Sequence, residues 1–99
     1  MQLAVDNLTV RHDLEKRRFI IDLGDDQAVI NYKISDDRII FLYAGVPQKY
    51  EGKGIAARLT REALEYAKAE NYRVISLCSY ISRFIERHHE YQSMLDLFE

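Results

Sequence analysis

Cysteine occurs once in the 99 residues, at Cys78, so no disulfide can close within the chain and a four-cysteine metal site is excluded. A reducing compartment is the expected setting, and the cytoplasm the expected location. An excess of positive charge is also missing. The formal net charge of -2 and a pI near 5.9 provide no basic field to hold a phosphate backbone, which sets nucleic acid aside as a partner. Long hydrophobic runs are absent too. The longest, 38–47, falls far below the roughly 18 residues of a membrane span, and Asp6 stands where a signal peptide would stay apolar, so no membrane partner is expected. Proline appears only at Pro47, and no repeat, low-complexity tract or flexible linker divides the chain. A single domain over 1–99 follows, the size of one shared core.

Hydrophobic residues make up 47% and charged residues 30%, the balance of a chain that folds. Phe19, Ile21 and Leu23 alternate with Ile20 and Asp22 and stop at Gly24, Asp25 and Asp26, which predicts a strand and a turn. Ala28, Ile30, Tyr32 and Ile34 share the face of a second strand, closed by a turn at Ser35, Asp36 and Asp37. From 39 to 46 both faces are apolar: Ile39, Phe41 and Tyr43 on one, Ile40, Leu42 and Ala44 on the other. This predicts a central strand covered on both sides. A short edge strand is expected at 8–11.

Pro47 ends the central strand, because proline cannot donate to a ladder. Helical periodicity follows, with Ile55, Leu59, Ala63 and Ala67 four apart on one face and Arg58, Arg61, Glu65 and Lys68 opposite, and Asn71 suits a left-handed C-terminal cap. Val74, Ile75, Leu77 and Cys78 predict a further strand, parallel to the central one through a crossover. Phe84, Ile85 and His88 predict a short helix, and Tyr91, Met94, Leu95 and Phe98 a second one. The expected fold class is α+β: an antiparallel meander leading into a mixed sheet with a β-α-β crossover and C-terminal helices.

Gly52, Lys53 and Gly54 lie between the central strand and the long helix. Glycine permits positive φ and lets backbone N–H groups approach a ligand, while the helix start contributes unpaired N–H groups and a partial charge of roughly +0.5. Together these attract phosphate, and Lys53 adds a mobile cation. A plain strand-to-helix turn would also use glycine. The P-loop and the Gly-x-Gly-x-x-Gly dinucleotide fingerprint are both excluded, the latter because position 57 is alanine.

The stretch Glu51, Gly52, Lys53, Gly54, Ile55, Ala56 resembles the Gln/Arg-x-x-Gly-x-Gly/Ala pyrophosphate loop of the GNAT superfamily of acetyl-CoA-dependent N-acetyltransferases. More narrowly, Val46-Pro47, then Gly52 with Gly54-Ile55-Ala56, then Cys78 with Tyr80, then His88 with Glu90-Tyr91 is similar to the small single-domain subfamily. The resemblance runs from about residue 19 to 95. It implies a reduced GNAT fold in which acetyl-CoA, as co-substrate, enters where two parallel strands splay, held by Val46, Gly52, Lys53, Gly54, Ile55, Ala56 and Tyr80. It also implies transfer of acetyl to an amine, on a small molecule or a protein lysine, by a monomer or a homodimer.

Two positions depart from the pattern. Glu51 replaces the usual Gln or Arg, and its charge disfavours pyrophosphate unless it turns away to cap the helix. Tyr43-Ala44-Gly45 replaces a His-Thr-acid run, leaving no acid or histidine there. Acetyl transfer needs a neutral amine, a stabilised carbonyl oxygen and a proton for the leaving thiolate. Backbone N–H groups near Gly45 and Val46 suit the oxygen. Cys78 has two readings, a nucleophile with His88 lowering its pKa or a small buried apolar residue. Tyr91 and Tyr80 each offer a phenol to the thiolate. His88 and His89, adjacent on a helix, point apart with no third ligand spaced to join them, so no metal site is expected. Besides an N-acetyltransferase, the sequence allows a non-catalytic acyl-CoA-binding module, or an interaction domain using a ridge of Tyr91, Met94 and Phe98.

Overall fold

In the computed structural model, which describes residues 7–96, the alternating stretches become the strands β1 (Val10–Asp13), β2 (Arg18–Leu23), β3 (Asp26–Ser35) and β4 (Arg38–Gly45). They form an antiparallel meander. The hairpin turns fall where the sequence places them, Gly24 and Asp36 both holding left-handed backbone. The edge strand begins at Val10, two residues into the 8–11 window, and runs on to Asp13; its register sets Val10 opposite Ile21 and Asp13 opposite Arg18.

Helix α1 (Ile55–Ala69) carries the chain back to β5 (Arg73–Ser76), which pairs parallel to β4 and completes the order β1-β2-β3-β4-β5. Ile55, Leu59, Ala63 and Ala67 are all buried, joined by Leu64 and Thr60, whose hydroxyl is satisfied by the Ala56 carbonyl at 2.7 Å. They pack on Phe19, Ile21, Ala28, Ile30 and Phe41 from the sheet. The helix stops at Asn71, with φ 60: its N–H bonds Lys68 O at 3.2 Å and the Tyr72 N–H bonds Ala67 O at 2.9 Å. These two bonds make a Schellman cap, the role expected of Asn71.

The central strand departs from its expected form. Asn31 pairs with Tyr43 and Tyr32 with Phe41, so Leu42 is an extra residue and β4 carries a bulge. Beyond it the alternation shifts by one. Ala44, opposite the buried Ile30, joins Ile39 and Phe41 on the core face, whereas Tyr43 turns to the other. That other face is not covered: Leu42 is 40% and Tyr43 54% exposed.

Helix α2 (Ser79–Arg87) adds Ile81, Phe84 and Ile85 to the same core as α1. The expected last helix is instead a run of 3-10 turns, His89–Met94, and Leu95 is extended, with the Asp96 N–H bonding Val74 O at 2.8 Å. The chain thus leaves the helical path to lie along the outer edge of β5. Arg38 pairs with Asp96, and Arg73 donates to Ser93 O at 2.9 Å. Of the proposed interaction ridge, Tyr91 is buried, Met94 packs against the core and Phe98 lies outside the described residues. The mixed α+β architecture is the one expected. Among the described residues no helix is long and apolar enough to cross a membrane.

Candidate active site

Parallel pairing between β4 and β5 stops at the bulge, where Phe41 meets Ser76 and the Leu77 N–H reaches Phe41 O at 2.9 Å. After that β4 continues to Gly45 while the other chain turns into α2, so the two diverge. Pro47 then begins a 3-10 turn, Gln48–Tyr50, anchored by the Tyr50 hydroxyl donating to Leu23 O at 3.3 Å. The glycine loop and α1 follow.

Gly52 and Gly54 have φ of 77° and 85°, and a Cβ added to either would meet no protein atom within 4 Å. Backbone conformation therefore favours glycine at both positions, and the space where a Cβ would stand is open. Gly54 is the N-cap of α1, with no side-chain cap and no acidic residue in the first turn. The Arg58 N–H is the first to bond back, to Gly54 O at 3.0 Å. Among the described residues, none of the six N–H groups from 52 to 57 bonds a protein acceptor, which leaves a nest of donors at the positive end of a helix dipole.

Five of these six residues, all but Lys53, border a cavity of about 400 Å³, within the range of small-molecule sites. Val46, Gly52, Gly54, Ile55, Ala56 and Tyr80 all line it, six of the seven residues the resemblance assigns to coenzyme A. Lys53 does not: it is exposed and its side chain lies outside the wall. Glu51 does line the cavity and makes no cap to α1, so the turn away from the site expected of it is not taken. Ala44, Tyr50 and Ala57 complete the wall. Ala44 could have been found only by knowing the bulge, which brings it to this face.

The catalytic candidates separate. Cys78 is half-buried, packs against the core as the N-cap of α2, and its carbonyl accepts from the Ser82 N–H. His88 caps the other end of that helix, about 15 Å away at 1.5 Å per residue, so the expected Cys78–His88 pairing is not formed. His88 Nδ1 instead lies 2.7 Å from Phe84 O, and its ring stacks on Phe84 at 3.9 Å. Tyr91 is sealed behind α1. Its hydroxyl donates to Glu65 Oε2 at 2.6 Å and accepts from Arg61, and burial together with the Glu65 bond pushes its pKa up to about 12. It lines neither this cavity nor the one beside it. Tyr80 is the phenol at the site, and burial raises its pKa above the ordinary tyrosine value.

A five-stranded mixed sheet parted at a bulge, with free amides at the gap, is the α+β fold of a GCN5-like domain. The family model for GCN5-related N-acetyl-transferase matches residues 18–94, and the chain belongs to that family. It is similar to the protein NATD1 of Bos taurus, 35% identical over 82 residues that cover 80% of this chain and 73% of that one. The NATD1 of Homo sapiens is 33% identical over the same shares of both chains. Among solved structures, that of a GCN5-like protein from Staphylococcus aureus aligns with a TM-score of 0.73 and 25% identity, covering 94% of this chain and 92% of the other.

Proposed function

We propose that this chain binds acetyl-CoA through the amides of 52–57 and transfers the acetyl group to an amine, on a small molecule or a lysine side chain. The observation that carries the reading is the nest itself: six free N–H groups at an uncapped helix start, five of them from residues that line the cavity where β4 and β5 part. Pyrophosphate is the group such a nest recognises. From there the apolar wall of Ala44, Val46 and Ile55 leads the pantetheine arm toward the strand gap.

The neutral amine attacks the thioester carbonyl carbon; a C–N bond forms and the C–S bond breaks. The Val46 N–H, which has no protein acceptor among the described residues, stabilises the carbonyl oxygen as charge develops on it. Tyr80 gives its phenolic proton to the departing sulfur and regains one from the cationic nitrogen of the tetrahedral intermediate as it collapses to the neutral amide, so the protons balance. Direct transfer suits this arrangement better than a cysteine intermediate, because among the described residues no base is bonded to the Cys78 thiol and His88 is turned to Phe84 O. Acceptor-dependent release of free CoA thiol should survive Cys78→Ala and be abolished in Gly54→Val, whose β-branched side chain disfavours φ near +85° and intrudes on the ligand's space. No release with any of a broad panel of amines would defeat the transferase reading. Binding of acetyl-CoA without turnover would then favour the acyl-CoA-binding module, a reading supported by Glu51 on the cavity wall.

A further inference from the structure

A second cavity, of about 370 Å³, lies between α1 and α2, and Ala57 and Tyr80 line both. The two are therefore neighbours across a shared wall. Its lining is unlike the first. Arg61 from α1 faces Arg83 and Arg87 from α2, His88 closes the far end, and no carboxylate takes part. Arg61 is occupied, contacting the Tyr91 hydroxyl at 3.3 Å and Glu90 at 3.8 Å and lying over the Phe84 ring. Arg83 and Arg87 make no hydrogen bond or ion pair with any described residue. They stand four apart on one helix face, where like charges repel. A pocket that gathers three guanidinium groups, two of them without a counter-charge among the described residues, suits an anion, and the planar donor fork fits phosphate oxygens two at a time. The same charges exclude a cationic amine, so this is not the acceptor site.

Position decides which anion. Ala57 closes the amide nest and Arg61 stands one helical turn beyond it, about 6 Å along the axis. Coenzyme A carries its third phosphate on the ribose, one sugar away from the pyrophosphate. We propose that the cavity between α1 and α2 holds the 3'-phosphate of coenzyme A through Arg83 and Arg87, so that the protein selects coenzyme A over dephospho-coenzyme A. This rests on the pyrophosphate lying at 52–57.

Calorimetric titration of the native chain with CoA and with dephospho-CoA tests it directly. CoA should bind at least ten-fold more tightly, and the ratio should shrink as salt is raised. In Arg83→Ala/Arg87→Ala, the two ligands should bind equally, at the native affinity for dephospho-CoA. Circular dichroism should show the same fold, since both arginines are exposed. Equal affinities in the native chain would overturn the proposal and leave the amide-nest site standing. An unchanged preference in the double variant would also overturn it. Failure of both ligands to bind would remove the pyrophosphate reading and the proposal with it.

Discussion

Tyr80 and Tyr91 are the same residue type in two different settings. Tyr80 stands on the cavity wall, while Tyr91 is buried with its hydroxyl committed to Glu65. Tyr80→Phe should lower the rate of acetyl transfer by ten- to a hundred-fold, the scale of a lost general acid, and change CoA affinity by less than about three-fold. Tyr91→Phe should leave turnover unchanged within about two-fold and lower stability by about 1–2 kcal/mol, the loss of one buried hydrogen bond, read by denaturant unfolding. The reverse pattern would exchange their roles. Sequence alone could not separate the two, because the motif names both tyrosines and only the fold shows which one α1 covers. Lys53 and Glu51 teach the same lesson: they flank Gly52, and only the fold shows that Glu51 lines the site while Lys53 does not.

At the scale of elements, the helix α1, its Schellman cap and the hairpin strands could be read from periodicity and turn residues, because each is decided by local pattern. The bulge could not. It exists only in the pairing of β4 with β3, and an alternation count across Leu42 puts Tyr43 and Ala44 on the wrong faces. Removing Leu42 should restore unbroken alternation, with Phe41 and Tyr43 still opposite Tyr32 and Asn31. The deletion variant is expected to fold, with native-like circular dichroism, and to lose the thermal shift given by CoA, because β4 and β5 would no longer part at the same point. A retained shift would show that the bulge does not set the opening. The last segment was also illegible: the spacing of Tyr91, Met94 and Leu95 suits a helix, but the bond from Asp96 to Val74 and the contacts of Arg73 and Arg38 draw the chain into an extended path.

For the whole molecule, buried aromatic groups contribute to the pH dependence of stability. Burial pushes Tyr32 and Tyr91 up to about 12 from an ordinary value near 10, so the fold favours their protonated forms. That contribution is complete below pH 10 and is lost as pH rises from 10 through 12. His12, stacked on Phe19 and 2.6 Å from the Tyr32 hydroxyl, is depressed by burial, so its contribution is present above about pH 6.5 and lost as the pH falls. The melting temperature should therefore be highest between these limits. His12→Phe should flatten the acid side, and an unchanged acid limb would assign the loss to other groups. The α+β plan and the family could be read from the sequence. The second cavity could not, since its arginines sit apart on two helices and meet only when those helices pack.

The central claim is that the amides of 52–57 hold the pyrophosphate of acetyl-CoA. Amide proton and nitrogen correlation spectra recorded through a titration with acetyl-CoA test it residue by residue. The account predicts the largest shifts at Gly52, Gly54, Ile55 and Ala56, saturating together with the shift of Tyr80. Saturable binding that leaves those amides unmoved, or no binding at millimolar acetyl-CoA, would contradict it.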